Sequence, residues 1–460
     1  MKIIIFGCGN IYRQQKKAIP EDIEILCIID NNKNLHGEKI DGIKVLSPRC
    51  AGAFSYDYIV LMSNYAFVMK EQLLQMGYAR KKIMHYLDFF GLFQHKIKKY
   101  ESASNITESS HKTLLIVSIA LSFSGVPIAV LTTAKAALQL GYSVTIVASD
   151  GDDRYIKEAI DSGINIIIFE GLNNASLESV LWMMHYDIIM INALPMIRLA
   201  IKLAKKRKVI VWIHESPDEY KMINFWTDEI NEGIQSEMMK IYAPSKRAKN
   251  HFLQWYSTKK EVSIFPLGIE DWEKKSVCLK EGLIYGLIGG FAKIKGQDIL
   301  LNVIEKFPRK ILIEVFFLFI GKRSVDEYGK EISNRASSIN NCILLGERTQ
   351  EEIYKLYSVL DVLVVASRAE TVSMAAIEAM MMGKVCIVSD QTGIAEYIES
   401  GKNGFIFQSE NEDELRKIML WCYQHQDKLE QIGKNARETY ERKFSTGIFK
   451  NNLQEILQEL

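Results

Sequence analysis

Short, almost uninterrupted runs of branched apolar residues recur along the chain, and most are followed by a helical pattern. Ile3–Phe6, Ile23–Ile29 and Tyr58–Met62 come first, with a helical stretch at Met69–Met76. A second series holds Leu114–Ile119, Val144–Ala148, Ile164–Phe169, Ile188–Ile191 and Val209–Ile213, with a helical pattern at Ile128–Leu140. A third holds Leu283–Gly289, Ile313–Gly321, Ile343–Leu345, Val362–Val365, Val385–Val388 and Gly404–Phe407. Strands that alternate with helices form parallel sheets covered on both faces, so the expected class is α/β. From Glu412 the pattern is helical, with a break near Phe444–Gly447.

The 460 residues leave room for two to four domains. Between the first two series, about Gln94 to Lys112, the sequence is polar, Ser-rich and without period, and reads as a linker. The expected division is an N-terminal Rossmann-like module over 1–93, the linker over 94–112, and two larger Rossmann-like domains over 113–268 and 269–440. A last helix over 441–460 is expected to cross back to the 113–268 domain.

A net charge of +1 gives no global field for nucleic acid or an anionic membrane. The basic runs Lys96–Lys99 and Lys202–Lys208 read first as solvated helix faces, and second as peripheral contact with the inner face of a membrane. Seven scattered cysteines without a CxxC pair argue for a reducing compartment and against a structural zinc site. No apolar run approaches the roughly 20 residues of a spanning helix. The N-terminus has no signal-peptide pattern, so a cytoplasmic location is expected and the Asn105–Thr107 sequon is without consequence.

The stretch Ser367-Arg-Ala-Glu370-Thr-Val-Ser-Met-Ala-Ala-Ile-Glu378-Ala-Met-Met-Met-Gly383 carries the chemistry. It follows a buried strand and opens a helix, with Thr371 and Ser373 as candidate caps. The first amides of such a helix form a seat for a diphosphate. Eight positions of helix separate Glu370 from Glu378 by about 12 Å. A hydrolase pair stands roughly 5–9.5 Å apart. The spacing therefore suits two grips on one long ligand, such as a nucleotide sugar, better than a shared acid/base site. Gly151-Asp152-Asp153 is the nearest approach to an acidic metal motif, and a polar turn accounts for it, so no metal site is expected.

This segment resembles the Glu-x7-Glu motif of glycosyltransferase family 4, retaining enzymes of the GT-B fold. Gly383–Ile398 and Gly401–Phe407 look like the family's continuation. The resemblance runs from about Thr113 to Leu460. It implies that Glu370 binds donor-sugar hydroxyls, Glu378 the ribose, and the amides of Val372, Ser373 and Met374 the sugar and diphosphate. Ile288–Leu300 resembles the family's strand–loop–Lys-Gly–helix segment, which makes Lys295 the residue that meets the departing phosphate. The family's usual arginine, five positions earlier, is Gly290 here. Lys293 is a candidate substitute, without arginine's bidentate fork. Leu121-Ser-Phe-Ser-Gly125 looks like the family's glycine loop, and His214 matches a histidine beside the donor sugar. Tyr242–Lys246 and Phe265–Glu270 resemble segments leading into the interdomain hinge and are read as structural.

What the resemblance implies is a retaining, metal-independent transfer from a nucleotide sugar, most simply a UDP-sugar, to a glycan, lipid-linked or protein-linked acceptor. No cofactor is required. Front-face attack, with the departing phosphate helping to deprotonate the acceptor hydroxyl, is the family's favoured route. Two other readings stay open: a nucleotide-sugar 2-epimerase of GT-B-like fold, and a non-catalytic partner that binds glycan or stabilises another transferase.

The N-terminal module lies outside that resemblance. Phe6-Gly7-Cys-Gly9-Asn-Ile-Tyr12, with Asp30 about twenty residues later, is a partial dinucleotide fingerprint. Tyr12 stands where the third glycine belongs. Docking or oligomerisation is the first expectation for this unit. NAD or nucleotide binding at Gly7, Gly9 and Asp30 is the second.

Overall fold

The computed structural model describes residues 1–93, 96–102, 112–123, 125–272 and 282–459. Most of the expected linker, the Asn105–Thr107 sequon, Ser124 and Cys278 lie outside them. Three sheets follow one another along the chain. The first runs Lys39–Ile40, Ile43–Leu46, Glu24–Ile29, Lys2–Phe6, Tyr58–Leu61, Ile83–His85 from edge to edge. The second runs Val262–Ile264, Met239–Ala243, Val209–Trp212, Ile188–Ile191, Thr113–Val117, Ser143–Ala148, Asn165–Phe169, Ile97–Tyr100. The third runs Cys342–Gly346, Val315–Ile320, Leu283–Ile288, Val362–Val365, Val385–Ser389, Phe405–Phe407. Pairing is parallel except at the edge pairs Lys39–Ile40 with Ile43–Leu46 and Ile97–Tyr100 with Asn165–Phe169.

Ile188–Ile191, Val209–Trp212 and Val362–Val365 are buried at every position. Helices cover both faces of such strands, which is why their sequences are continuous apolar runs rather than alternations. In each sheet one of the first strands in sequence sits inside, with later strands added on both sides. These strands are Lys2–Phe6, Thr113–Val117 and Leu283–Ile288. The chain therefore reverses its winding beside each of them. α/β sheets hold ligands at the strands' carboxyl ends beside such a reversal.

Two expectations change. The stretch read as an aperiodic linker carries the strand Ile97–Tyr100, which adds an antiparallel edge to the second sheet. The basic run Lys96–Lys99 is accordingly an exposed edge strand rather than a helix face, and charges on an edge discourage further pairing. The strands Met239–Ala243 and Val262–Ile264, whose neighbourhood read as hinge segments, complete the other side of the same sheet.

The first unit is docked on the second through partly buried polar contacts. Arg198 donates to Asp88 at 2.5 Å and to Glu229 at 3.1 Å, and its guanidinium lies 4.4 Å from the centre of the Trp226 ring. Trp226 Nε1 donates to the other Asp88 oxygen at 2.9 Å, and buried Lys70 donates to the Phe225 carbonyl at 2.9 Å. One apolar cluster runs from Ile4, Leu61 and Leu73 to Leu172, Ile197 and Trp226. At the other end, the helix Thr446–Gln458 packs on the helix Gly125–Gln139, and Phe449 stacks on Phe265 at 4.9 Å. Among the described residues no helix is long and apolar enough to cross a membrane.

Candidate active site

Val362–Val365 leaves the third sheet at its carboxyl end and runs through a loop into the helix Met374–Met381. Ser373 caps that helix, its hydroxyl accepting from the Ala376 amide. Glu370 lies before the cap, so the interval between the two glutamates is part loop and part helix, and the straight-helix estimate of their separation does not apply. The loop is fixed by its backbone. The Glu370 amide donates to the Gln391 carbonyl at 3.0 Å, and the Glu370 carbonyl accepts from Gly393 at 2.9 Å.

Lys295 reaches this loop because of its own turn. Lys293–Lys295 is a single 3-10 turn ending at Gly296, which has φ +72°. A Cβ on Gly296 would sit 2.1 Å from the Ala366 carbonyl oxygen, so only glycine permits the approach. The approach sets Lys295 Nζ 2.7 Å from Glu370 Oε1, while Ser367 donates to Glu370 Oε2 at 2.8 Å. Lys293 is exposed, and its carbonyl accepts from Arg368 at 2.5 Å. Arg368 does not stand in for the arginine replaced by Gly290. Its guanidinium grips Asp298 bidentately, at 2.8 and 2.7 Å, and also bonds Glu410.

Glu378 is buried. Gln350 donates to its Oε1 at 2.7 Å, and the Tyr357 hydroxyl lies 3.0 Å from its Oε2. The same hydroxyl is 2.8 Å from the Ala375 carbonyl. Tyr357 has one proton for these two acceptors. A neutral Glu378 resolves the conflict by donating to Tyr357 while Tyr357 donates to Ala375. Burial pushes the Glu378 carboxyl up to about 7, consistent with that arrangement.

The opposite wall comes from the second sheet. His214 follows Val209–Trp212 and is buried, 4.3 Å from the Trp212 ring, with Nε2 3.3 Å from Asn192 Oδ1. Burial pushes the imidazole down to about 3, so it is neutral at physiological pH. Buried Glu215 accepts from the His214 amide at 2.7 Å, and burial pushes its carboxyl up to about 7. Gly125 opens the helix Gly125–Gln139, and a Cβ there would meet nothing within 4 Å. Asp152 spends its carboxylate on capping the helix Asp153–Asp161.

The two walls are tied together. The Thr371 hydroxyl donates to the His214 carbonyl at 2.8 Å, and the Ser245 hydroxyl donates to the Thr371 carbonyl at 2.6 Å. The Lys246 amide donates to Glu396 at 3.2 Å. Of the expected residues, Lys295 and Glu370 are joined directly, and Val372, Ser373 and Met374 form the helix entry beside them. Glu378 and the His214 imidazole bond within their own domains. Gly7, Gly9 and Asp30 belong to a separate cleft in the first unit.

A family model described as "Glycosyl transferases group 1" matches residues 268–439, and one described as "Glycosyl-transferase family 4" matches 110–268. Together they take in both walls of this cleft. The chain belongs to glycosyltransferase family 4. A third model, "C2185-like, N-terminal", matches residues 1–84. Among curated relatives, an uncharacterized glycosyltransferase of Methanocaldococcus jannaschii is 27% identical over 225 residues, 48% of this chain and 60% of that one. Spore coat protein SA of Bacillus subtilis is 26% identical over 179 residues, 37% and 48% of the two chains. These matches thus span about half of each relative's length. Among solved structures, Anabaena HepE in complex with UDP and glucose superposes with TM-score 0.66 at 19% identity, over 76% of this chain and all of that one. Sucrose-phosphate synthase of Thermosynechococcus elongatus gives 0.62 at 16%, over 76% and 99%. At these identities the likeness is one of fold, and the fold is GT-B.

The sequence reading missed Thr371, Ser245 and Glu215 as parts of the candidate site. Thr371 was read as a cap and Ser245 as hinge. Glu215, adjacent to His214 at a strand end, was the one signal available, since a carboxylate in an apolar strand end needs partners.

Proposed function

We propose that the protein transfers a sugar from a UDP-linked donor to a hydroxyl of a glycan, lipid-linked or protein-linked acceptor, with retention of anomeric configuration. The observation that carries this reading is the placing of Lys295 and Glu370, 2.7 Å apart, beside a helix entry capped by Ser373. In this reading the donor separates the pair. Glu370 takes sugar hydroxyls, and Lys295 turns to the diphosphate. Lys295 and the amides of Val372–Met374 meet the charge on the leaving nucleotide without a metal ion. Glu378 accepts from the ribose. The departing phosphate takes the acceptor proton on the same face. His214, neutral, acts as a hydrogen-bonding wall rather than a cation. UDP as the nucleotide of the donor is supported by the HepE complex of like fold.

The same reading assigns residues 113–268 to the acceptor side and 269–440 to the nucleotide side, with 1–93 as an appended module. The test is a screen of UDP- and GDP-sugars for release of free nucleotide, with the anomeric proton of the product read by NMR. Release from a UDP-sugar that is lost in Glu370→Ala, with α-donors giving α-products, supports the proposal. Nucleotide affinity without turnover for any donor would replace it with the non-catalytic partner.

A further inference from the structure

A cavity of about 510 Å³ lies in the first unit, at the carboxyl ends of Lys2–Phe6, Glu24–Ile29 and Tyr58–Leu61. This is the winding reversal of the first sheet, away from the transferase cleft. Gly9 stands at its edge with φ −78° and ψ −151°, a backbone that side-chain-bearing residues adopt, and a Cβ there would meet nothing within 4 Å. Neither strain nor packing calls for glycine at this position. What the missing side chain leaves is open space in the cleft.

Asp30 supplies the cleft's charge. Its Oδ2 accepts from the Cys8 amide and thiol, both at 3.1 Å, while its Oδ1 accepts from the Asn32 amide at 2.8 Å. A carboxylate oxygen has room for two donors, so Oδ1 keeps acceptor capacity. Met62, Met69, Ile11, Tyr65 and Val68 give the cavity apolar walls, and Tyr65 and Val68 are 75% and 63% exposed at its mouth.

The same loop is poorly made for phosphate. The Gly7 amide is spent on the Ile29 carbonyl at 2.9 Å and the Cys8 amide on Asp30. Among the described residues no lysine or arginine lines the cavity. The following helix, Asn10–Gln15, is a turn and a half long, and Tyr12 fills the space of the third glycine, donating to Asp41 at 3.0 Å. The residues therefore fit the nucleoside end of a dinucleotide such as NAD and lack a seat for its diphosphate.

We propose that this cleft binds a ribonucleoside moiety, its ribose diol donating to Asp30 and its base lying against Tyr65 and Val68 beside the open face of Gly9. Recognition is by diol and ring, so phosphorylation adds nothing to affinity.

The test is calorimetric titration of the full chain with adenosine, uridine, AMP, NAD, 2′,3′-dideoxyadenosine and free ribose. The expected result is one site for adenosine and, for uridine, that site beside the proposed donor site, with AMP and NAD binding no tighter than adenosine. The dideoxy compound should bind roughly tenfold more weakly, the loss of hydrogen bonds to a charged acceptor. Gly9→Val should abolish adenosine binding while nucleotide release from the donor continues unchanged. Val68→Glu, at an exposed position, gives the same readout should Gly9→Val fail to fold. The proposal is overturned if no ribonucleoside binds at millimolar concentration, if ribose binds as well as the nucleosides, or if AMP and NAD bind much more tightly. Binding that survives both variants and disappears in Glu378→Ala would place the ligand in the transferase cleft and equally overturn it.

Discussion

Thr371 donates its hydroxyl to the carbonyl oxygen of His214 at 2.8 Å, bridging the two walls of the cleft one residue away from Glu370. Ser245 returns the contact from the same wall to the Thr371 carbonyl at 2.6 Å. The loop that positions Glu370 is thus held from both sides. Thr371→Val keeps the shape and removes the donor, so the proposed transfer rate should fall roughly fivefold, the worth of about 1 kcal/mol of hydrogen bond. Ser245→Ala should cost a similar amount. Both act on one loop, so the double variant should lose less than the product of the two. Steady-state rates of nucleotide release check this, and full activity in both single variants would remove the bridge from the mechanism.

The Lys295–Glu370 pair makes a second prediction, in which rate and stability part company. Lys295 keeps about a third of its side chain exposed, with 34% against 15% for Glu370. A pair of that kind contributes on the order of 1 kcal/mol or less to folding. Removing a charge that meets the leaving group costs roughly 10²–10³ in rate. Lys295→Met should therefore lose turnover by that factor with little change in denaturation midpoint. Turnover lost only in step with stability would assign the pair to structure.

The fold and the place of the Glu370–Glu378 segment in it were legible in sequence for one physical reason: parallel strands buried on both faces announce themselves as continuous apolar runs. Val362–Val365 was read with its bounds unchanged. Ile97–Tyr100 was missed because an antiparallel edge strand with three of its four positions exposed carries no such signature. The site divides the same way. Glu370, Glu378 and Lys295 stood out through local motifs. Thr371, Ser245 and Glu215 owe their places to contacts between segments over a hundred positions apart or to burial, which no local pattern records.

Glu378 and Glu215 give the protein a pH signature. Burial raises each carboxyl to about 7 from an ordinary 4.5. Between those values the folded chain holds protons that the unfolded chain releases. Their contribution to stability is complete below the unfolded value and is lost as pH rises through about 7. Glu378→Gln should flatten part of this slope in denaturation measured from pH 5 to 8. Proposed ribose binding has the opposite sign, because hydroxyls donate to the ionised form. UDP affinity should rise about tenfold per pH unit below 7 and level off above it. The difference between wild type and Glu378→Gln isolates this from titration of the phosphate, and identical pH profiles would refute the ribose role.

Docking of the first unit rests on Arg198, which is 12% exposed and bridges Asp88 and Glu229 over the face of Trp226. Arg198→Ala leaves Asp88 with the Trp226 Nε1–H and without its ion-pair partner. Breaking a fully buried pair costs roughly 3–5 kcal/mol. With Asp88 22% exposed, a loss of about 2 kcal/mol is expected. Chemical denaturation should register it, and limited proteolysis should then release a fragment near residue 93. An unchanged midpoint would mean that the apolar cluster alone holds the unit in place.

Gly290 offers the most direct test of the proposed donor site, because it asks for a gain. A Cβ built on Gly290 has the Lys322 carbonyl oxygen, at 3.9 Å, as its nearest neighbour, so a side chain can be added without displacing backbone. Arg368 is engaged with Asp298 and Glu410 and supplies no spare guanidinium. Gly290→Arg restores the residue that the family usually carries and places a bidentate donor beside the Lys295 turn. UDP should bind several-fold more tightly, on the order of 1 kcal/mol for a partly exposed charge-assisted contact, while uridine affinity stays the same. Equal gains for uridine and UDP would show that the arginine does not reach the phosphates, and no gain for either would remove Gly290 from the diphosphate site.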